Sequence, residues 1–84
     1  MTTKDITVDV PQGMEISPVA KCVQIASQFE SKIYFERETK RVNAKSIMGM
    51  MALGINPGQT VTVSAEGEDE QQAVSSIEEY LGNK

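Results

Sequence analysis

The sequence has no histidine among its 84 residues and a single cysteine, Cys22. Without an imidazole there is no His general base, no Ser-His-Asp triad, no His metal ligand and no phosphohistidine in this chain. One cysteine excludes an internal disulfide and a Cys-pair zinc site. The fold must therefore rest on its core, which suits a reducing, cytoplasmic compartment. No stretch approaches the ~20 apolar residues of a membrane span. Met1-Thr2-Thr3-Lys4-Asp5 is too polar for a secretory signal. The length suits one small domain over residues 1–84, of the size that buries roughly 60–65 % of its unfolded surface.

Basic charge is also scarce. Eight Lys and Arg face twelve Asp and Glu, for a net charge of −4. This argues against direct nucleic-acid or anionic-membrane binding, which needs basic patches. The charge is uneven. Glu66, Glu68, Asp69, Glu70, Glu78 and Glu79 crowd the C-terminal part, while Lys32, Arg37, Lys40, Arg41 and Lys45 occupy the middle.

Ile6, Val8 and Val10 alternate with polar residues and predict a half-buried strand, ended by Pro11-Gln12-Gly13. Ser17-Pro18 starts a helix, with Ser17 as cap, and Val19, Cys22, Val23, Ala26 and Phe29 line its apolar face over about three turns. Ile33-Tyr34-Phe35 and Arg41–Ala44 read as a hairpin about a polar turn at 37–40. Ser46 caps a short helix from Ile47 to Leu53, closed by Gly54. Thr60–Ala65 alternates as a fourth strand, and Gly67 breaks it. Asp69 to Gln72 suggests a reciprocal cap for a last helix whose stripe is Ala73, Ile77, Tyr80 and Leu81, stopped by Gly82. The order β-α-β-β-α-β-α predicts an α+β open-faced β-sandwich: one four-stranded antiparallel sheet with three helices on one face.

Few residues offer chemistry. Ser46 stands after Lys45 at a helix N-terminus, where an anion is tolerated. It serves either as a plain cap, worth ~0.5–2 kcal/mol, or as a site for a phosphate. Met48, Met50 and Met51, with Ile47 and Leu53, are more apolar surface than a two-turn helix hides on one side. Either all of it is core, or part of it meets a partner. Cys22 sits among apolar neighbours and reads as a buried, inert thiol. Glu15 is a lone carboxylate before the first helix, and the acids at 66–70 lack calcium-loop spacing. No metal or cofactor is implied.

The segment Val42-Asn43-Ala44-Lys45-Ser46-Ile47-Met48-Gly49-Met50-Met51-Ala52-Leu53-Gly54 resembles the regulatory-serine segment of the histidine-containing phosphocarrier (HPr) family of the bacterial sugar phosphotransferase system. The likeness runs on through Gly58, Val61, Val63 and Ala65–Glu70, and back to Gly13 and the helix at Pro18, so it spans essentially the whole chain. It implies the same open-faced β-sandwich. One departure stands out. Where the family reads Gly, hydrophobic, His, Ala, Arg, Pro, Ala, this sequence has Gly13-Met14-Glu15-Ile16-Ser17-Pro18-Val19. Glu15 stands at the active-site His position and Ser17 at that of the assisting Arg. A carboxylate forms a labile acyl phosphate, and no guanidinium supports it, so phosphohistidine relay is not expected.

Loss of the histidine with retention of the serine is the combination found in the catabolite-repression (Crh) branch of the family. That resemblance implies a non-enzymatic regulator whose Ser46 is modified by an HPr kinase/phosphorylase, and whose phosphorylated form is corepressor for a catabolite control transcription factor. It also implies a partner surface of Ala20, Lys21, Gln24, Lys45, Ile47, Met48 and Met51. In the family the Arg at the position of Ser17 helps hold the transcription factor, and a lost interfacial charged hydrogen bond costs ~2–5 kcal/mol. The kinase is thus the better-matched partner. A phosphorylation-independent interaction domain is the alternative. Relatives of this branch exchange their first strand, so both a monomer and a strand-swapped homodimer are open.

Overall fold

The computed structural model describes residues 1–9 and 18–82. Along the chain run β1 (Thr2–Thr7), α1 (Pro18–Ala26), β2 (Lys32–Arg37), β3 (Lys40–Asn43), α2 (Ile47–Leu53), β4 (Thr60–Glu66) and α3 (Glu70–Leu81). The strands form one sheet in the order β1-β4-β2-β3, antiparallel throughout. This is the expected open-faced α+β sandwich.

Strand alternation sends Ile33 and Phe35 of β2 and Val61, Val63 and Ala65 of β4 to one face. There they meet Ala73, Val74, Ile77 and Leu81 of α3, Cys22 and Ala26 of α1, and Met50 and Leu53 of α2. The other face carries Thr3, Thr7, Thr60, Thr62, Tyr34 and Arg41, with the Arg41 guanidinium 4.2 Å from the Tyr34 ring centroid.

Four boundaries differ from the sequence expectation. The first strand is Thr2–Thr7, earlier than the Ile6–Val10 alternation suggests. Its first inward positions, Thr2 and Lys4, are polar and are met by α3: Thr2 Oγ1 donates to Glu70 Oε2 at 2.6 Å, and Lys4 Nζ pairs with Glu78 at 2.6 Å. Ile6 and Val8 are buried as expected, while Val10 and the Ser17 cap lie outside the described residues. α1 ends at Ala26, and Phe29 follows in a tightened turn whose N–H reaches Ala26 O at 3.2 Å. The hairpin turn is only Glu38-Thr39, because Arg37 pairs with Lys40; β3 therefore starts and stops one residue early. Ala44 is nonetheless buried, its N–H on Ile33 O.

The fourth difference is at the start of α3. Asp69 makes no side-chain cap to its own helix. Its carboxylate instead accepts from Glu30 N at 2.9 Å, from Ser31 N at 3.0 Å and from the Ser31 hydroxyl. Glu70 takes over the local role, accepting from Gly67 N at 3.1 Å. Gly67 is required at this junction. Its φ is +155°, and a Cβ there would lie 2.8 Å from Ser31 Cα.

Candidate functional site: the turn at Ser46 and the outer face of the second helix

Residues 43–46 form a tied turn between β3 and α2. Asn43 Oδ1 accepts from Lys45 N at 2.8 Å, and Asn43 O accepts from Ser46 N at 3.0 Å. This leaves Ser46 extended (φ −102°, ψ 113°), the conformation of an N-cap. Its Oγ accepts from Gly49 N at 3.2 Å, and its carbonyl accepts from Met50 N at 2.9 Å. The residue is exposed. Ser46 is therefore an exposed N-cap.

α2 sorts its side chains sharply. Met50 and Leu53 are buried, whereas Ile47, Met48 and Met51 are 43, 79 and 67 % exposed. The all-core option for the methionines fails: Met50 is core, while Met48 and Met51 form an apolar outer surface. Gly54 closes the helix at φ +78°, its N–H on Met50 O at 3.0 Å.

Two cations buttress this region. Arg37 Nη2 donates to Leu53 O at 2.6 Å, at the negative end of α2. Lys45 Nζ donates to Phe29 O at 2.7 Å, just past the end of α1. Neither contact is legible locally, because each partner lies sixteen residues away.

Lys45, Ser46, Ile47, Met48 and Met51 are thus contiguous along the start and outer side of α2. Ala20, Lys21 and Gln24 lie on α1, which packs on both α2 and α3. Ala20 and Lys21 are half-buried and Gln24 is exposed. Lys21 lines a shallow groove with Ile25, Ser76, Glu79 and Tyr80, on the α3 side of α1. Glu15 and Ser17 lie outside the described residues. Cys22 is buried, and desolvation pushes its thiol up to about 12, so it is no nucleophile at neutral pH. Among the described residues no cluster of three His, Cys, Asp or Glu is placed to hold a metal, and no helix is long and apolar enough to cross a membrane.

The sheet order, the capped Ser46 and the apolar α2 surface together define the class. A family profile described as "PTS HPr component phosphorylation site" matches residues 2–83, and the chain belongs to the HPr family of the phosphotransferase system. Within that family it is similar to HPr-like protein Crh of Halalkalibacterium halodurans, 42 % identical over 81 residues that cover 96 % of both chains. It is also similar to the phosphocarrier protein HPr of Treponema pallidum, 45 % identical over 84 residues, covering 100 % of this chain and 96 % of that one. Among solved structures, HPr of Bacillus anthracis superposes with a TM-score of 0.86 at 38 % identity, covering 95 % of each chain. Crh of Bacillus subtilis, described as a domain-swapped dimer, superposes with a TM-score of 0.71 at 41 % identity, covering 95 % of this chain and 92 % of that one. The chain is an HPr-like protein of Crh-like character. Overall identity favours neither the carrier nor the regulator. The chain has no histidine.

Proposed function

We propose that this chain is a non-enzymatic regulator of the cytoplasm, phosphorylated on Ser46 by an ATP-dependent HPr kinase/phosphorylase. In that form it acts as a corepressor-type partner of a catabolite control transcription factor. One observation carries the reading: an exposed Ser46 beside exposed Met48 and Met51, in a chain without histidine. Phosphate on Ser46 adds about −1.5 to −2 charge and three acceptor oxygens at the start of α2. The partner then reads a dianion next to an apolar surface made by Ile47, Met48 and Met51, with Lys45, Ala20, Lys21 and Gln24 at its margin. Unmodified Ser46 offers the same apolar surface without the charge, so the modification sets affinity. Glu15 and Ser17 leave the phosphohistidine relay without its acceptor and its guanidinium. The relatives that form dimers extend to this chain as a choice between monomer and strand-swapped homodimer, with β1 as the exchanged strand.

A binding titration tests the regulatory step. The Ser46-phosphorylated chain should bind the transcription factor at least tenfold more tightly than the unmodified chain, and Met48→Ala with Met51→Ala should remove most of that binding. Equal affinity of the two forms would contradict it. Ser17, standing where the family has an interfacial Arg, favours a second reading, a phosphorylation-independent interaction domain. Under that reading some partner binds through Met48 and Met51 with affinity unchanged by Ser46→Ala.

A further inference from the structure

We infer that Lys45 couples the state of Ser46 to the Phe29–Glu30 peptide group, and through it to the end of α1 and the start of α3. This rests on the phosphoserine reading above. The two ends of that one peptide are held by opposite charges. Its carbonyl, Phe29 O, accepts from the Lys45 ammonium at 2.7 Å, and its N–H, Glu30 N, donates to Asp69 Oδ2 at 2.9 Å. A cation at the oxygen and an anion at the hydrogen polarise the group in the same sense, so each bond strengthens the other. The peptide therefore ties the residue before Ser46 to the turn after α1 and to the residue that precedes α3.

Lys45 answers no carboxylate among the described residues. Among the described residues the ion pairs are Met1–Glu70 and Lys4–Glu78, so its charge is answered by a neutral carbonyl and not by a carboxylate. Ser46 is its chain neighbour, with Cα atoms ~3.8 Å apart, and the lysine stem is long and flexible. A phosphoryl dianion on Ser46 outcompetes a neutral carbonyl for the ammonium. Transfer of the ammonium returns Phe29 O to water, weakens the polarisation of the peptide and loosens the Glu30–Asp69 bond. The turn after α1 loses the cation that faces its Phe29 carbonyl. A modification at the start of α2 is thereby felt on α1, which carries Ala20, Lys21 and Gln24.

NMR of the whole chain tests this, with phosphoserine incorporated at position 46 during translation so that no kinase is involved. The Phe29 carbonyl carbon and the Glu30 amide proton should both move upfield on phosphorylation. Lys45→Met should show those shifts before modification and gain nothing further from it, and Lys45→Gln should behave alike. Unmoved Phe29 and Glu30 signals, with Ser46 and Gly49 amides displaced, would overturn the inference. So would a phosphorylation shift of Phe29 that persists in both Lys45 variants. A kinase that leaves Ser46 unmodified contradicts the proposed function and does not bear on these shifts.

Discussion

Three methionines within four residues of one helix have different fates. Met50 is core, while Met48 and Met51 are surface. Composition shows an excess of apolar side chains but cannot show which ones turn inward, because that depends on how α2 sits against β3 and α1. The distinction is measurable by urea unfolding. Met50→Ala should cost ~2–5 kcal/mol as a core truncation, whereas Met48→Ala and Met51→Ala should stay within about 0.5 kcal/mol. Ser46→Ala should lose ~0.5–2 kcal/mol as a cap. Cys22 behaves as its apolar neighbours in sequence suggest. Buried, with its thiol held near 12, it should stay unreactive to a thiol probe in the native protein at neutral pH and react fully in denaturant. Rapid native labelling would show that α1 opens.

At the scale of elements, the sequence is most legible where an element has one apolar face and least where polar groups point inward. β2 and β4 lie close to the expected segments because Ile33, Phe35, Val61 and Val63 alternate with polar residues. β1 starts earlier than its alternation suggests because Thr2 and Lys4 occupy inward positions, and their partners are glutamates of α3, far away in sequence. Capping chemistry is local and points Asp69 to its own helix, yet Asp69 serves the turn at Glu30 and Ser31. Gly67 allows that turn to approach. Gly67→Ala forces a Cβ against the Ser31 backbone, and a loss of ~1–3 kcal/mol is expected from the displaced junction. Wild-type thermal stability in that variant would show that the two turns are not pressed together.

At the scale of the molecule, the start of α3 gathers the charges that fasten it to β1 and to the turn after α1. The Ser31 hydroxyl and the Glu30 N–H hold the Asp69 carboxyl below its ordinary value. The Thr2 hydroxyl and the Gly67 N–H do the same for Glu70, which also pairs with the Met1 ammonium at 3.2 Å. Carboxyls held low bind fewer protons folded than unfolded, so their contribution is present at neutral pH and is withdrawn as pH falls through the folded values. The stability gap between wild type and Asp69→Asn should therefore be widest near neutrality and shrink in acid. A gap that widens in acid would contradict the assignment.

The candidate site was more legible than the reasons for its stability. Ser46, Ile47, Met48 and Met51 are neighbours in sequence and remain neighbours on α2. The lysine and arginine that brace the region act on carbonyls of other elements, which no local pattern reveals. The proposed function stands or falls on Ser46 as a phosphoryl acceptor in a chain without histidine. Intact-mass spectrometry tests it most directly, after incubation with ATP and an HPr kinase/phosphorylase, and in parallel with phosphoenolpyruvate and the first enzyme of the phosphotransferase system. One phosphoryl group is expected from the kinase, absent in Ser46→Ala, and none from the phosphoenolpyruvate route. An unmodified chain beside a fully modified HPr control, or a phosphoryl group acquired from phosphoenolpyruvate, would contradict it.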